Sequence, residues 1–424
     1  MKNANTKARC LRDLCDLVTV AADPFAFSPD LQYIGLEHIS PGRLTPSNFG
    51  RAADVTSNKA AFKKGDVLYG KLRPYLDKAV LAASEGICTT ELLVLRAKHD
   101  VLPKYLACVV HAPSFVEFAM SGVTGAHHPR TAWGHISRFA LPAHSTTEQR
   151  RITQILWSLQ KLIEIAEHAE ILAQEIKRVA MAKLFTRGLR GEAQKETEIG
   201  FMPESWDAVQ LGLLGKIGNG STPKKSLPEF WVGGAYPWLT SAKVYDREIT
   251  SADQFVTDIA LAKCHLPRVR PGAVLMAITG QGKTLGHCAV LTIESSVSQH
   301  VAYLQTDTDK ADPSFVRGYL ETQYAYLRQV ASGGGSTKGA LTCAFLKNLP
   351  IPLPKIAEQR EIVKVLDAID QKIALHQQKK SLLDELFRSL LHKLMTGEIS
   401  VDELDLRALH EEEPQPQTEA EVQS

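Results

Sequence analysis

The sequence predicts an α+β protein built as a pseudo-twofold tandem repeat. Two β-rich domains are each followed by a long α-helix, and the two helices pair as an antiparallel coiled coil. Three observations predict this. "TEQRRI" at 147–152 returns as "AEQREI" at 357–362, and residues 148–186 align without a gap on 358–396 with twelve of 39 positions identical. Both aligned segments carry apolar residues at helical spacing. Both are preceded by short apolar runs separated by Gly, Pro and polar turns, the pattern of strands in a twisted sheet.

In chain order, the first β-rich domain is expected over 1–145, with strands at Val67–Tyr69, Ala79–Ala82 and Leu92–Leu95. Pro103 opens a helix there, because a first-turn residue needs no N–H. The first long helix follows over 146–188, with a seam of Ile152, Ile155, Leu159, Leu162, Ala166, Ala169, Ala173, Ile176 and Ala180. A linker over 189–204 leads to the second domain, 205–354, with strands at Val274–Ile278, Cys288–Ile293 and Val301–Leu304 and a helix opened by Pro313. The second long helix, 355–398, has the seam Ile362, Val365, Ile369, Lys372, His376, Lys379, Leu383, Leu386 and Leu390. In an antiparallel pair the stems of its central Lys and His residues can lie over Ala166 and Ala169. Residues 399–424 are acidic, rich in Pro and Gln and without aromatics, and are expected to be a disordered tail.

A chain of 424 residues suggests two to four domains, with ample core. No apolar run approaches the roughly 18 residues of a membrane span, and the first residues lack the apolar stretch of a secretory signal. A cytoplasmic location without membrane contact is therefore expected. The seven cysteines are scattered and never form a CxxC pair, so the expectation is free thiols and no metal site. Basic residues number 49 against 47 acidic, but five of the acids lie in 408–424. The body is thus modestly basic, compatible with nucleic acid.

Two motifs resemble catalytic ones and fail on context. "AITGQGKT" (277–284) fits a permissive phosphate-binding loop, yet that mechanism needs a following helix, and "LGHCAVLTIE" reads as a strand. "DPSF" (312–315) is explained by Asp312 as helix cap and Pro313 in the first turn. No catalytic residue and no cofactor is expected.

The loops between strands carry more. Residues 59–78 hold Lys59, Lys63, Lys64, Lys71, Arg73 and Lys78 with Tyr69 and Tyr75 interleaved, a mixture able to hold phosphates and offer donors to base edges. Lys243, Arg247, Gln281, Lys283 and Thr284 could act likewise in the second domain. The donor-rich loops 122–130 and 333–341 add His128, Arg130 and Lys338. The DNA-contact candidates are Lys71, Arg73, Tyr75, Lys78, His128, Arg130, Lys243, Arg247, Gln281, Lys283, Thr284 and Lys338. A repeat-built helical scaffold without a DNA role, or a nucleotide-binding protein, are the competing readings.

The chain resembles the specificity subunit of type I restriction-modification enzymes over nearly its whole length. The resemblance rests on two variable domains with a "GDVL" or "GAVL" strand, each closed by "LP" or "IP" and then by "EQR" opening a long helix that ends in "KLFT" or "KLMTGEI". The linker "ETEIGFMPESW" (196–206) fits it as well. The resemblance implies a non-catalytic subunit whose two target-recognition domains each read one half of a bipartite, asymmetric double-stranded DNA site. It also implies two methyltransferase subunits docked on the helices, joined by restriction/translocase subunits. The repeated triplets Glu148, Gln149, Arg150 and Glu358, Gln359, Arg360 then become partner-contact candidates, although Glu and Gln in a first helical turn also have a purely structural use.

Overall fold

The computed structural model describes residues 8–125, 127–280, 282–333 and 339–404. Two helices dominate it, Thr146–Arg187 with 42 residues and Ile356–Thr396 with 41. The chain divides into two compact units, Met1–Ala169 with His376–Ser424, and Glu170–Leu375. The division cuts both long helices. Each unit therefore holds one sheet domain, a segment of one helix that continues from it, and a segment of the other.

The helix segments run antiparallel within each unit. In the first, Arg151 meets Asp402 while Glu167, sixteen residues on, meets Lys380 at 3.6 Å. In the second, Lys177 reaches Asp370 at 3.1 Å, and Gly188 comes so close to Glu358 that a Cβ there would lie 3.1 Å from its carboxylate. Burial departs from the strict seven-residue seams. Ile176, Val365 and Leu386 are 59%, 39% and 46% exposed, whereas Leu156, Ile163, Leu366, Phe387 and Leu391 are buried. A straight helix has 3.6 residues per turn, so a seven-residue repeat drifts by about 20° per heptad and rotates away from the partner. Ala166 is buried, while Lys372 and Lys379 are exposed.

The two domains share a strand order. In the first unit an antiparallel sheet runs Cys15–Val18, Leu92–Ala97, Val67–Gly70, Ala79–Leu81. In the second it runs Gly215–Asn219, Val301–Thr306, Ala273–Ala277, Cys288–Leu291, with Glu248–Ile249 added in parallel at the edge. A second sheet accompanies each. Gln32–Ile34 pairs in parallel with Gly86–Cys88, and Tyr236–Leu239 pairs in parallel with Ser296–Val297. The central strands are buried on both faces, hence their unbroken apolar runs. The helices Pro103–His111 and Pro313–Thr322 pack beside these sheets, each with proline in the first turn. Asp312 accepts from the N–H groups of Ser314 (2.9 Å) and Phe315 (3.2 Å) and caps the second of them.

Short strands close each domain, Ala8–Cys10 against Ala140–Pro142 and Asp207–Gln210 against Pro350–Leu353. Between the first long helix and the second domain lies a hairpin, Gln194–Thr197 with Gly200–Pro203, and then Trp206, fully buried against Phe315. Strand Ala273–Ala277 pairs antiparallel with Cys288–Leu291, and among the described residues no helix lies between them of the kind a phosphate-binding loop opens into. All seven cysteines are free thiols. No described helix is long and apolar enough to cross a membrane.

Candidate nucleic-acid interface and helix faces

In the first unit two loops distant in sequence form one rim. The N–H of Arg73 donates to the Pro129 carbonyl at 2.7 Å, the Thr131 N–H donates to the Lys71 carbonyl at 3.0 Å, and Leu72 bridges to Arg130. The turn is held by two left-handed residues that are not glycine, Arg73 (φ 51°) and Asp77 (φ 48°). Lys71, Arg73, Tyr75, His128 and Arg130 thereby come together, with Tyr75 53% exposed. The side chains of Lys71 and Arg73 have no partner among the described residues. Arg130, in contrast, makes a two-pronged contact with Glu91 at 3.0 and 3.2 Å, and the Lys78 ammonium donates to the Leu36 carbonyl at 2.6 Å.

The second unit has the corresponding rim, in which Thr279 bridges to Ala340 and the Leu341 N–H donates to the Ile278 carbonyl at 2.8 Å. Lys283 is exposed, and its carbonyl accepts from the Tyr324 hydroxyl at 2.6 Å. Thr284 shares a 2.9 Å hydrogen bond with the Tyr245 hydroxyl. Gln281 and Lys338 lie outside the described residues. Lys243 and Arg247 are already engaged. Lys243 pairs with Asp253 at 2.8 Å, and Arg247 with Asp367 and, at 2.6 Å, with Asp370 of the second long helix.

Arg247 has a counterpart that the loop chemistry did not signal. Arg43 follows Tyr33 much as Arg247 follows Tyr236, and its guanidinium grips Glu167 at 2.5 Å and Asp384 at 2.9 Å, one acid from each long helix. Each domain is thus pinned to the helix segments of its own unit by one arginine. The acids it finds are not related by the 210-residue repeat, so spacing alone could not have named them.

The repeated "EQR" has a structural explanation at atomic detail. The Gln149 amide oxygen accepts from the Leu102 N–H at 3.0 Å, and its nitrogen donates to the carbonyls of Asp100 (3.3 Å) and His144 (3.0 Å). The Gln359 amide oxygen accepts from the Asp312 N–H at 2.8 Å, and its nitrogen donates to the carbonyls of Lys310 (3.2 Å) and Pro354 (2.8 Å). Every partner recurs 210 residues on. The two glutamines are 2% and 0% exposed, so neither presents its side chain to a partner protein. Glu148 accepts from the Ser145 N–H and hydroxyl, both 2.7 Å, closing a capping box that holds its carboxyl below the usual range. Glu358 accepts from the indole N–H of Trp206 at 3.2 Å. Arg150 and Arg360 remain exposed.

The helices also present a repeated apolar set. Ile165, Leu172 and Ile176 are 51%, 63% and 59% exposed, and the residues 210 positions later, Leu375, Leu382 and Leu386, are 55%, 58% and 46% exposed. Each compact unit carries one full set: Ile165, Leu382 and Leu386 in one, Leu375, Leu172 and Ile176 in the other. In the first unit Glu167, Lys380 and Asp384 form the face gripped by Arg43. Ile165, Leu382 and Leu386 each stand two positions, about 200°, from one of these and so lie on the opposite side of the helices.

Two copies of a sheet domain with a polar, cation-bearing rim, each clamped to helix segments with an exposed apolar face, define a repeat-built α+β architecture. Residues 203–385 match the profile of the type I restriction modification DNA specificity domain. The chain is 25% identical over 416 residues to the type I restriction enzyme MjaX specificity subunit assigned in Methanocaldococcus jannaschii, covering 92% of this chain and 93% of that one. Its fold matches the S subunit of a type I restriction-modification system from M. genitalium (TM-score 0.58, 16% identity, 93% and 98% of the two chains). It also matches a chain solved in work on complex assembly and conformational transition of the type I R-M system (TM-score 0.59, 22% identity, 93% and 98%). The chain is thus similar to the type I restriction modification DNA specificity domain over 203–385 and to type I restriction enzyme specificity subunits over most of its length.

Proposed function

We propose that this chain recognises a bipartite, asymmetric site in double-stranded DNA, one half with each domain, while its helices dock two methyltransferase subunits that restriction/translocase subunits can join. The observation that carries the reading is the pair of repeat-related rims. One leaves Lys71 and Arg73 half-buried without partners among the described residues beside an exposed Tyr75, and the other offers Lys283 to solvent. Cations without internal partners can replace counterions on phosphate, and the surrounding amide, hydroxyl and backbone donors can read base edges. Lys243, Arg247, Arg130 and Lys78 shape these rims through their internal contacts.

The docking half of the proposal rests on the doubled apolar set, Ile165, Leu382, Leu386 and Leu375, Leu172, Ile176. Equivalent surfaces in two units suit two copies of one partner, and large exposed aliphatics at helical spacing suit a protein surface better than water. Sequencing the methylome of a host with and without the gene tests the reading. A split motif that disappears with the gene supports it; an unchanged methylome, together with no salt-dependent gel shift in the presence of the methyltransferase, refutes it.

A further inference from the structure

The first rim contains a device that the second lacks. His111 sits at the end of the helix Pro103–His111 with its side chain 0% exposed, and both ring nitrogens meet acceptors. Nδ1 is 2.7 Å from a carboxylate oxygen of Asp77, and Nε2 is 2.8 Å from the Ala79 carbonyl oxygen. A carbonyl and an ionised carboxylate only accept, so with Asp77 ionised the ring satisfies both only as the doubly protonated imidazolium. Asp77 is one of the two left-handed residues of the turn that carries Arg73 and Tyr75. Aspartate visits that conformation at a cost, and here a buried charge-assisted bond holds it.

The second domain solves the same turn without a pin. Two residues before its returning strand, where the first domain has Asp77, stands Gly286 with φ +90°, which needs no holding. The residue 210 positions after His111 is Glu321, engaged with Lys177 at 2.9 Å and Arg317 at 2.8 Å.

We infer that His111 is a positioning residue for recognition of the first half-site: as an imidazolium it locks Asp77, and through it the Arg73–Asp77 turn, in the DNA-reading shape, and its deprotonation releases that turn. The inference rests on the DNA-reading function proposed above. Burial lowers the affinity of the ring for its second proton, but the Asp77 carboxylate and the Ala79 carbonyl outweigh it and raise the pKa above the ordinary histidine value. On the surrounding strands Tyr69 also senses Asp77, and burial first, then that carboxylate, push its hydroxyl up so that it stays neutral. Lys78 points its ammonium at the Leu36 carbonyl, and Glu117 on the neighbouring helix is exposed. A raised histidine pKa makes the locked turn complete below the ordinary histidine pKa and lost as pH rises through the folded value.

The test uses the full chain in complex with its methyltransferase subunits and a duplex carrying the split motif read from the methylome. Matched duplexes carry a scrambled first or second half. Discrimination at the first half should weaken about tenfold as pH rises from about 6 to about 9, the scale of one left-handed non-glycine residue, while discrimination at the second half stays level. Asp77→Gly, which frees the turn from the pin as Gly286 does, should make the first-half profile level with pH; Asp77→Ala should weaken it throughout. A wild-type profile as level as that of Asp77→Gly overturns the inference, as does an imidazole NMR titration placing the His111 midpoint below the ordinary histidine value. A wild-type complex that prefers no duplex overturns the DNA-reading function itself, and this inference with it.

Discussion

Replacing Gln149 by alanine separates the two meanings of the repeated "EQR". The amide is 2% exposed and makes three hydrogen bonds, to Leu102 N–H at 3.0 Å and to the carbonyls of Asp100 and His144 at 3.3 and 3.0 Å. Alanine leaves one buried donor and two acceptors without that partner. With about 1 kcal/mol for each of the three hydrogen bonds removed and a further 1–3 for an orphaned N–H, the expected loss is roughly 4–6 kcal/mol of stability. Gln359→Ala should cost about the same, since its three hydrogen bonds have the same chemistry at 2.8, 3.2 and 2.8 Å. Glutamate is not an adequate substitute, because a carboxylate accepts but cannot donate to the two carbonyls. Urea unfolding followed by circular dichroism measures the loss, and co-purification with the methyltransferase measures docking. Arg150→Ala, at an exposed position, should stay within about 0.5 kcal/mol of the parent. If the glutamine variants lose less than that in stability yet bind the partner poorly, the glutamines are docking determinants and the anchoring account is wrong.

Three further outcomes are expected. Leu172→Asp or Leu382→Asp should leave the unfolding transition of the free chain in place and each remove one of two bound methyltransferase subunits, read by native mass spectrometry; full occupancy in the double variant would rule out the apolar set as the docking face. Lys71→Ala with Arg73→Ala should lower the salt slope of DNA binding by about one unit for each phosphate that is no longer neutralised, or relax one base position by roughly 1–3 kcal/mol, and an unchanged slope and preference would dismiss both as DNA-binding side chains. Burial pushes the thiols of Cys15, Cys88, Cys108 and Cys288 up to about 12, so alkylation of the native chain at neutral pH should spare these four until it unfolds; rapid labelling of Cys108 or Cys288 would contradict their placement.

Much of the architecture was legible because it is local or periodic. The 210-residue offset is a comparison of the chain with itself, and the apolar runs that became Val67–Gly70 and Ala273–Ala277, the proline-opened helices and the long amphipathic segments each depend on neighbours a few residues away. The strand after 277–284 was readable for the same reason, and the structure has Cys288–Leu291 there. The candidate rims were found by composition, which does not separate an engaged cation such as Lys78 or Lys243 from an open one such as Lys283. Whether Arg247 faces DNA or Asp370, and whether Arg130 is open or held by Glu91, depends on residues 123 and 39 positions away that only the folded chain brings close. Burial of Gln149 and exposure of Ile176 follow from how a 3.6-residue helix turns against its partner, which a seven-residue count does not contain. The sequence by itself thus determined the repeat, its strands and its helices, because backbone preference and hydrophobic period act at short range. The tertiary structure alone decided which polar side chains anchor the fold and which remain for a ligand, because that choice is made by contacts between segments far apart in the chain.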